Sequence, residues 1–325
     1  VFLALNSREA AEFDVTAKHR PTTSVMNKNA AEPESRPAET LLAEAATGAV
    51  SVVDDQGTEI RLAAPAKRII ALYGAFNEIL AGMGLADRLA ARTQADAEPA
   101  EIAALPSIGT HMRPNLELIL GLHPDLVLQM GGRKAASEPV EALRRLGVPT
   151  AFFEVTSFAG LFSLVERLGA LTGEPDRAAA LAAALRGRLD RVAEKVRAAQ
   201  AAGARPPRVF YEVRYPNLLA AGQESLVSEV IARAGGLNAV PVAGKLVRLA
   251  EEELLRLDPD VYLVQRGPMN PTPVPLAERN HFAPLSVRTT GRVREVDERA
   301  YSRPGPRAVE AVEELARILY PDAGW

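Results

Sequence analysis

The chain contains no cysteine. Disulfides, thiolate metal sites and a cysteine nucleophile are excluded together, but the compartment is not fixed, because many exported proteins also lack disulfides. No apolar run reaches the ~18 residues that span a membrane. Catalytic signatures are missing too. The stretch ALYGAFNEILAGMG (71–84) has its glycines in the wrong places for a dinucleotide fingerprint. Neither a Walker loop nor a G-x-S-x-G elbow is present, so an enzyme built on a Rossmann-type lobe is disfavoured. There is no His-rich loop and no carboxylate cluster with ligand spacing, which disfavours a bare metal ion or oxyanion as ligand. The formal net charge of −3 gives no reason to expect a nucleic-acid partner.

What is present is ordinary globular material: 47% hydrophobic and 24% charged residues. The 325 residues are about twice an average domain, so two domains or lobes are expected. VFLAL (1–5) is apolar but too short for a signal h-region. Residues 1–47, rich in Ala, Glu, Pro, Ser and Thr without periodicity, are expected to form a tether or disordered arm. A processed lipoprotein would begin with a lipidated cysteine, and none is seen here.

From residue 48 to 173, strand and helix patterns alternate. SVVDDQGTEIRL reads as a hairpin, and RIIALYG, RLAART, DLVLQM and TAFFEV as strands. FNEILAGMGL, EPVEALRRLG and FAGLFSLVERLGALTG have helical spacing. LPSIGT leads into a loop, THMRPN. Alternation of this kind predicts a parallel sheet covered by helices. Residues 174–203 read as one long helix, opened by Pro175 and closed by Gly203. It is either a long surface helix or a rigid connector. Alternation restarts over 204–325 with RVFYEV, SLVSEVIARAGG, AEEELLRL, DVYLVQ, VREVD and PRAVEAVEELARILY.

One phrase occurs twice. ELILGLHPDLVL starts at Glu117 and EELLRLDPDVYL at Glu252, 135 residues later. Each is a short helix feeding a strand, one per half, which makes the chain a pseudo-repeat of two α/β lobes. Ile119, Leu120 and Leu122 bury one helix face, as Leu254, Leu255 and Leu257 do in the second copy. Glu117 and Glu252 lie off that face at the helix starts. Complementing a helix dipole, worth ~0.3–1 kcal/mol, accounts for them structurally. A matched carboxylate on each lobe is also a way to dock onto a two-fold partner.

These segments resemble the periplasmic substrate-binding proteins of ABC importers for ferric siderophores, haem and cobalamin, the class III or helical-backbone group. The resemblance covers roughly 48–321. It rests on VVDDQGTEIRLAAPAKRIIAL, SIGTHMRPNLELILGLHPDLVL, GQESLVSEVIARAGGLNAV, the second copy of the phrase, and RPGPRAVEAVEELARILYP, in this order and spacing. It implies two Rossmann-like lobes joined by a single long helix, with the ligand in a cleft between them and only modest closure. It implies an extracytoplasmic carrier, periplasmic or membrane-anchored, with no intrinsic cofactor and no turnover. It also implies that Glu117 and Glu252 pair with arginines of a transmembrane permease dimer. A monomer is expected.

In such a fold the cleft is lined by loops at the carboxyl ends of strands. The candidates are Tyr73, Thr110, His111, Arg113 and Arg133 from the first lobe, and Arg214, Tyr215, Arg248, Arg266, Tyr301 and Arg303 from the second. Glu212 and Gln265 lie in the same loop ends. Five arginines, with Arg248 a sixth, favour an anionic metal chelate, a ferric siderophore foremost. Haem competes. Its relatives commonly carry a tyrosine where Thr110 stands here, so His111 or Tyr73 would have to take the iron. Cobalamin recognition in the family uses aromatic packing. Aromatics are only 5% of the chain, although Tyr73, Tyr215 and Tyr301 remain available.

Overall fold

The computed structural model describes residues 48–96, 98–131 and 136–325. Expectations for residues 1–47 and for Arg133 fall outside these. The first lobe opens with an antiparallel hairpin, β1 (Val50–Val53) and β2 (Glu59–Leu62). Its four-stranded sheet has the order β4 (Leu89–Ala91), β3 (Ile69–Ala71), β7 (Leu126–Met130), β8 (Thr150–Phe153), all parallel. Every residue of β3, β7 and β8 is buried, because helices cover both faces of the sheet. Those helices include α1 (Gly74–Gly82), α2 (Leu116–Gly121), α3 (Ser137–Arg145) and α4 (Phe158–Thr172). Gly173 closes α4 in the left-handed region at φ 68°, which a side chain would strain. The stretch expected as a plain loop before α2 instead folds into a miniature hairpin, β5 (Gly109–Thr110) and β6 (Arg113–Pro114).

A single helix, α5 (Pro175–Ala201), follows. Its 27 residues extend about 40 Å. The buried positions are Ala178, Ala182, Leu185, Leu189, Val192 and Val196, alternately four and three apart. That spacing draws one straight seam along the helix. Ala178 meets Gly169 of the first lobe, whereas Arg188 pairs with Glu313 and Val196 lies against Gly235 of the second. One continuous apolar cluster therefore runs from one lobe to the other along this helix.

The second lobe departs from the expected all-parallel sheet. Strands β9 (Arg208–Arg214), β13 (Val261–Arg266) and β14 (Val293–Asp297) are parallel, as is the short β11 (Leu237–Asn238) on β9. However, β10 (Leu219–Ala221) runs antiparallel to β9 and to β12 (Leu246–Arg248). These three-residue strands are too short to show a hydrophobic period. Helices α6 (Leu226–Arg233), α7 (Glu251–Leu257), α8 (Ser286–Thr290), α9 (Glu298–Ser302) and α10 (Arg307–Leu319) complete the lobe.

The repeated phrase builds the same joint twice. Its seventh residue is His123 in the first copy and Asp258 in the second, and both have positive φ, 48° and 34°. The proline behind each starts the turn into the strand. The aspartate then fastens that strand to its neighbour. Asp125 accepts the backbone N–H groups of Lys67 and Arg68 at 2.7 and 3.0 Å, and Asp260 accepts that of Arg208 at 2.7 Å. Glu117 and Glu252 are exposed at the starts of α2 and α7.

Glu212, expected at the cleft, lies fully buried in the second lobe. Arg279 reaches it through two bonds of 2.5 and 2.9 Å, and the Tyr262 hydroxyl donates at 2.5 Å. Arg279 also lies over the Tyr215 ring, 4.1 Å from its centroid. Removing one member strands the other's charge without a partner. Arg279→Met is expected to cost about 3–5 kcal/mol in denaturant unfolding. Adding Glu212→Gln to that variant should restore part of the loss.

Candidate functional site

The carboxyl ends of the parallel strands of both lobes face a common cavity of about 500 Å³. This size suits a substantial organic ligand. In the first lobe Leu72, Tyr73 and Gly74 enter it from the β3–α1 junction, Met130 and Gly131 from the end of β7. His111 and Met112 enter from the tip of the β5–β6 hairpin. In the second lobe Val213 lies next to the end of β9, Gln265 lies in β13, and Leu226 and Val227 open α6. Met269, Glu298, Ser302 and Arg303 close that side.

Of the expected ligand residues that are described, Tyr73, His111 and Arg303 line this cavity, together with Gln265. Their geometry is specific. The Tyr73 and His111 rings meet edge to face, with centroids 5.8 Å apart. The Arg303 guanidinium sits 5.4 Å above the Tyr73 ring and pairs with Asp96 at 3.2 Å. Gly74 makes room for that pair. A Cβ there would lie 2.5 Å from both the Arg303 Nη1 and the Asp96 Oδ1. Burial pushes the Tyr73 phenol above its ordinary pKa, and Arg303 opposes the shift. The phenol is therefore neutral at physiological pH.

The other candidates lie elsewhere, for identifiable reasons. Thr110 and Arg113 form the exposed ladder of the β5–β6 hairpin, leaving the tip residues to face the cavity. Arg214 and Arg248 are exposed at strand positions outside the lining. Arg266 points to the opposite face from Gln265, as neighbours on a strand must. It pairs with Glu295 beside a separate depression of about 390 Å³. Tyr215 packs on Arg279 and hydrogen-bonds His281 at 3.2 Å. Tyr301 is fully buried, stacked on Tyr211. The arginine-rich cleft that favoured an anionic chelate is thus not formed among the described residues. Sequence reading missed Asp96, Met269 and Glu298. Three methionines in loops at strand ends, flexible apolar groups suited to a large ligand, were a usable signal.

The lobes are clasped beside the cavity. Arg299, Arg303 and Arg307, four residues apart, reach the Ala95 carbonyl, the Asp96 carboxylate and the Glu98 carboxylate at 3.4, 3.2 and 3.2 Å. At the exposed rim, Lys245 pairs with Glu154 of the other lobe at 2.8 Å.

The periplasmic binding protein family model matches residues 69–314. The chain belongs to this family. An uncharacterised ABC-transporter substrate-binding lipoprotein of Bacillus subtilis, YvrC, is 25% identical over 276 residues, covering 84% of this chain and 86% of its own length. Among solved structures, the periplasmic haem-binding protein RhuT from Roseiflexus sp. RS-1 in apo form is 26% identical. It aligns with a TM-score of 0.69 over 79% of this chain and 99% of its own. The periplasmic vitamin B12-binding protein BtuF of Vibrio cholerae is 25% identical, with a TM-score of 0.66 over 80% and 99%. This is a family of transport proteins, not enzymes. The chain is accordingly an extracytoplasmic substrate-binding protein that serves an ABC importer. No helix among the described residues is long and apolar enough to cross a membrane.

Glu78 of α1 lies under the clasp, against Gly305 and facing Arg303 and Arg307. Burial pushes its pKa up to about 7, from an ordinary 4.5, with those arginines opposing. The folded chain thus holds a proton that the unfolded chain releases between these values. This contribution to stability is present in full below pH ~4.5 and is lost as pH rises through ~7. It amounts to roughly 3 kcal/mol. Glu78→Gln should flatten the stability profile over that window, as measured by denaturant unfolding at successive pH values.

Proposed function

We propose that the cargo is a corrinoid, a cobalt macrocycle without a strongly anionic periphery, held between the lobes by a monomeric carrier. The observation that carries this reading is the lining of the cavity. Its walls are mainly apolar, with methionines at Met112, Met130 and Met269 and the Tyr73–His111 edge on one side. Among the described residues its Arg and Lys side chains, Arg303 and Lys245, are already paired with Asp96 and Glu154. Glu224 and Glu298 add carboxylates. A tricatecholate or a haem with two propionates would bring more negative charge, with no unpaired Arg or Lys among the described lining residues to meet it. A corrin ring with neutral carboxamides meets no such penalty.

The complex is proposed to dock onto a permease dimer through Glu117 and Glu252, one from each lobe. Both are exposed at equivalent joints of the pseudo-repeat, away from the cavity lining. Titration calorimetry should show saturable one-to-one binding of cyanocobalamin, weaker binding of hemin and the weakest binding of ferric enterobactin. The reverse order overturns the corrinoid reading. Glu117→Ala and Glu252→Ala should keep wild-type affinity. In reconstituted transport, each should lower uptake by more than about tenfold, because a desolvated carboxylate–arginine contact loses its partner.

A further inference from the structure

We infer that Gln265 is a specificity-determining residue, whose side-chain N–H group donates a hydrogen bond to an oxygen on the periphery of the bound chelate. Gln265 occupies the penultimate position of β13, a central strand of the second lobe, and its side chain is fully buried while lining the cavity. Two hydroxyls converge on one end of its amide. Tyr211 donates to Oε1 at 3.0 Å and Ser302 at 2.9 Å, and these two hydroxyls are themselves 3.3 Å apart. The backbone carbonyl of Gln265 is taken by the Asn270 side chain at 2.9 Å. The opposite end of the amide, Nε2, has no hydrogen-bond partner among the described residues.

This is an unusual place to leave a donor. Buried polar atoms in folded proteins are almost always paired, and an unpaired amide is costly. The other end of the amide is held in place by its two hydroxyl partners. Tyr211 is held by its stack on Tyr301, and burial keeps its phenol protonated, so it remains a donor to Oε1. Ser302 ends α9 and faces the same cavity. In this orientation the acceptor end of Gln265 is engaged by two donors and Nε2 is the free end. Both hydroxyls can also accept, so a turned amide would present Oε1 to the cavity instead, and the Gln265→Glu variant below separates the two.

Such an arrangement selects for an acceptor. A site built around a fixed donor strongly rejects a ligand that leaves the donor unpaired. The chemical class it fits is a metal chelate carrying carboxamide or other carbonyl oxygens at its edge. The peripheral carboxamides of a corrinoid match this requirement. That last step rests on the corrinoid reading above; the requirement for an acceptor oxygen does not.

The test uses the full chain and two substitutions. Gln265→Glu keeps the shape and keeps an acceptor for Tyr211 and Ser302, but removes the N–H donor while the carboxyl is ionised. Gln265→Met removes both ends. Affinities for cyanocobalamin, hemin and ferrioxamine B are measured across pH 5.5 to 8.5 alongside thermal melting. For whichever probe the wild type binds, Gln265→Glu should weaken binding about 10–100-fold at the alkaline end. Affinity should recover in acid, where a protonated carboxyl regains a donor, while wild-type affinity changes little. Gln265→Met should be weak throughout. Wild-type affinity of Gln265→Glu at alkaline pH overturns the inference, as does a loss that follows the melting temperature and not the pH. Binding of hemin or ferrioxamine B in place of cyanocobalamin overturns the corrinoid reading alone, and Gln265 is then judged on that ligand. Binding of none of the three overturns both.

Discussion

The structure depends on one constraint: two lobes share a single helix as a common core element. The seam of α5, from Ala178 to Val196, is buried half against the first lobe and half against the second. Burying a leucine or valine side chain is worth ~1.5–3 kcal/mol, so neither lobe can release the helix cheaply. A continuous helix also cannot fold like a loop hinge. The distance between the lobes is therefore set by packing, and the cleft exists before any ligand arrives. Arg299 of α9, Arg303 just after it and Arg307 of α10 add a second fastening, reaching Ala95, Asp96 and Glu98. One of them, Arg303, is also a wall of the cavity. The clasp and the ligand thus share a residue, so changes at the cavity act directly on the lobe contact.

Much of this architecture was legible in the sequence. Pro175 and Gly203 marked the ends of the long helix, which runs Pro175–Ala201. The long helix stood out because its small and apolar residues keep one spacing for about five turns. The repeated Pro-Asp phrase announced a two-fold joint, and its aspartates have backbone partners at corresponding places in the two lobes. What could not be read was short or directional. Strands β10 and β12 are three residues each and carry no period. Knowing that a loop end lies near the cleft does not say which neighbour turns inward. Gln265 faces the cavity and Arg266 does not; Ser302 and Arg303 do and Tyr301 does not. Counting arginines could not show this, since a residue's place in the chain is fixed by sequence but its direction by the pleat and helix turn beneath it.

The cavity is consequently less basic and more apolar than the loop composition implied. Its recognition chemistry reduces to a few fixed elements: an aromatic edge from Tyr73 and His111, three methionines that can adapt, a paired Arg303, and a preset amide in Gln265. Flexible thioethers fit many outlines, so shape alone would make a permissive site. Selectivity must then come from the polar groups that cannot move. Their positions are held by the two lobes together, which ties recognition to the same constraint that sets the cleft.

The central claim is that ligand enters and is held between the lobes. The absence of cysteine makes a direct test simple. Glu154→Cys and Lys245→Cys replace the pair that spans the rim, and a short bismaleimide can bridge them. Cross-linking before ligand is added should block binding, and cross-linking afterwards should trap the ligand and slow its release by orders of magnitude. Unchanged association and dissociation rates in the cross-linked protein would contradict the account.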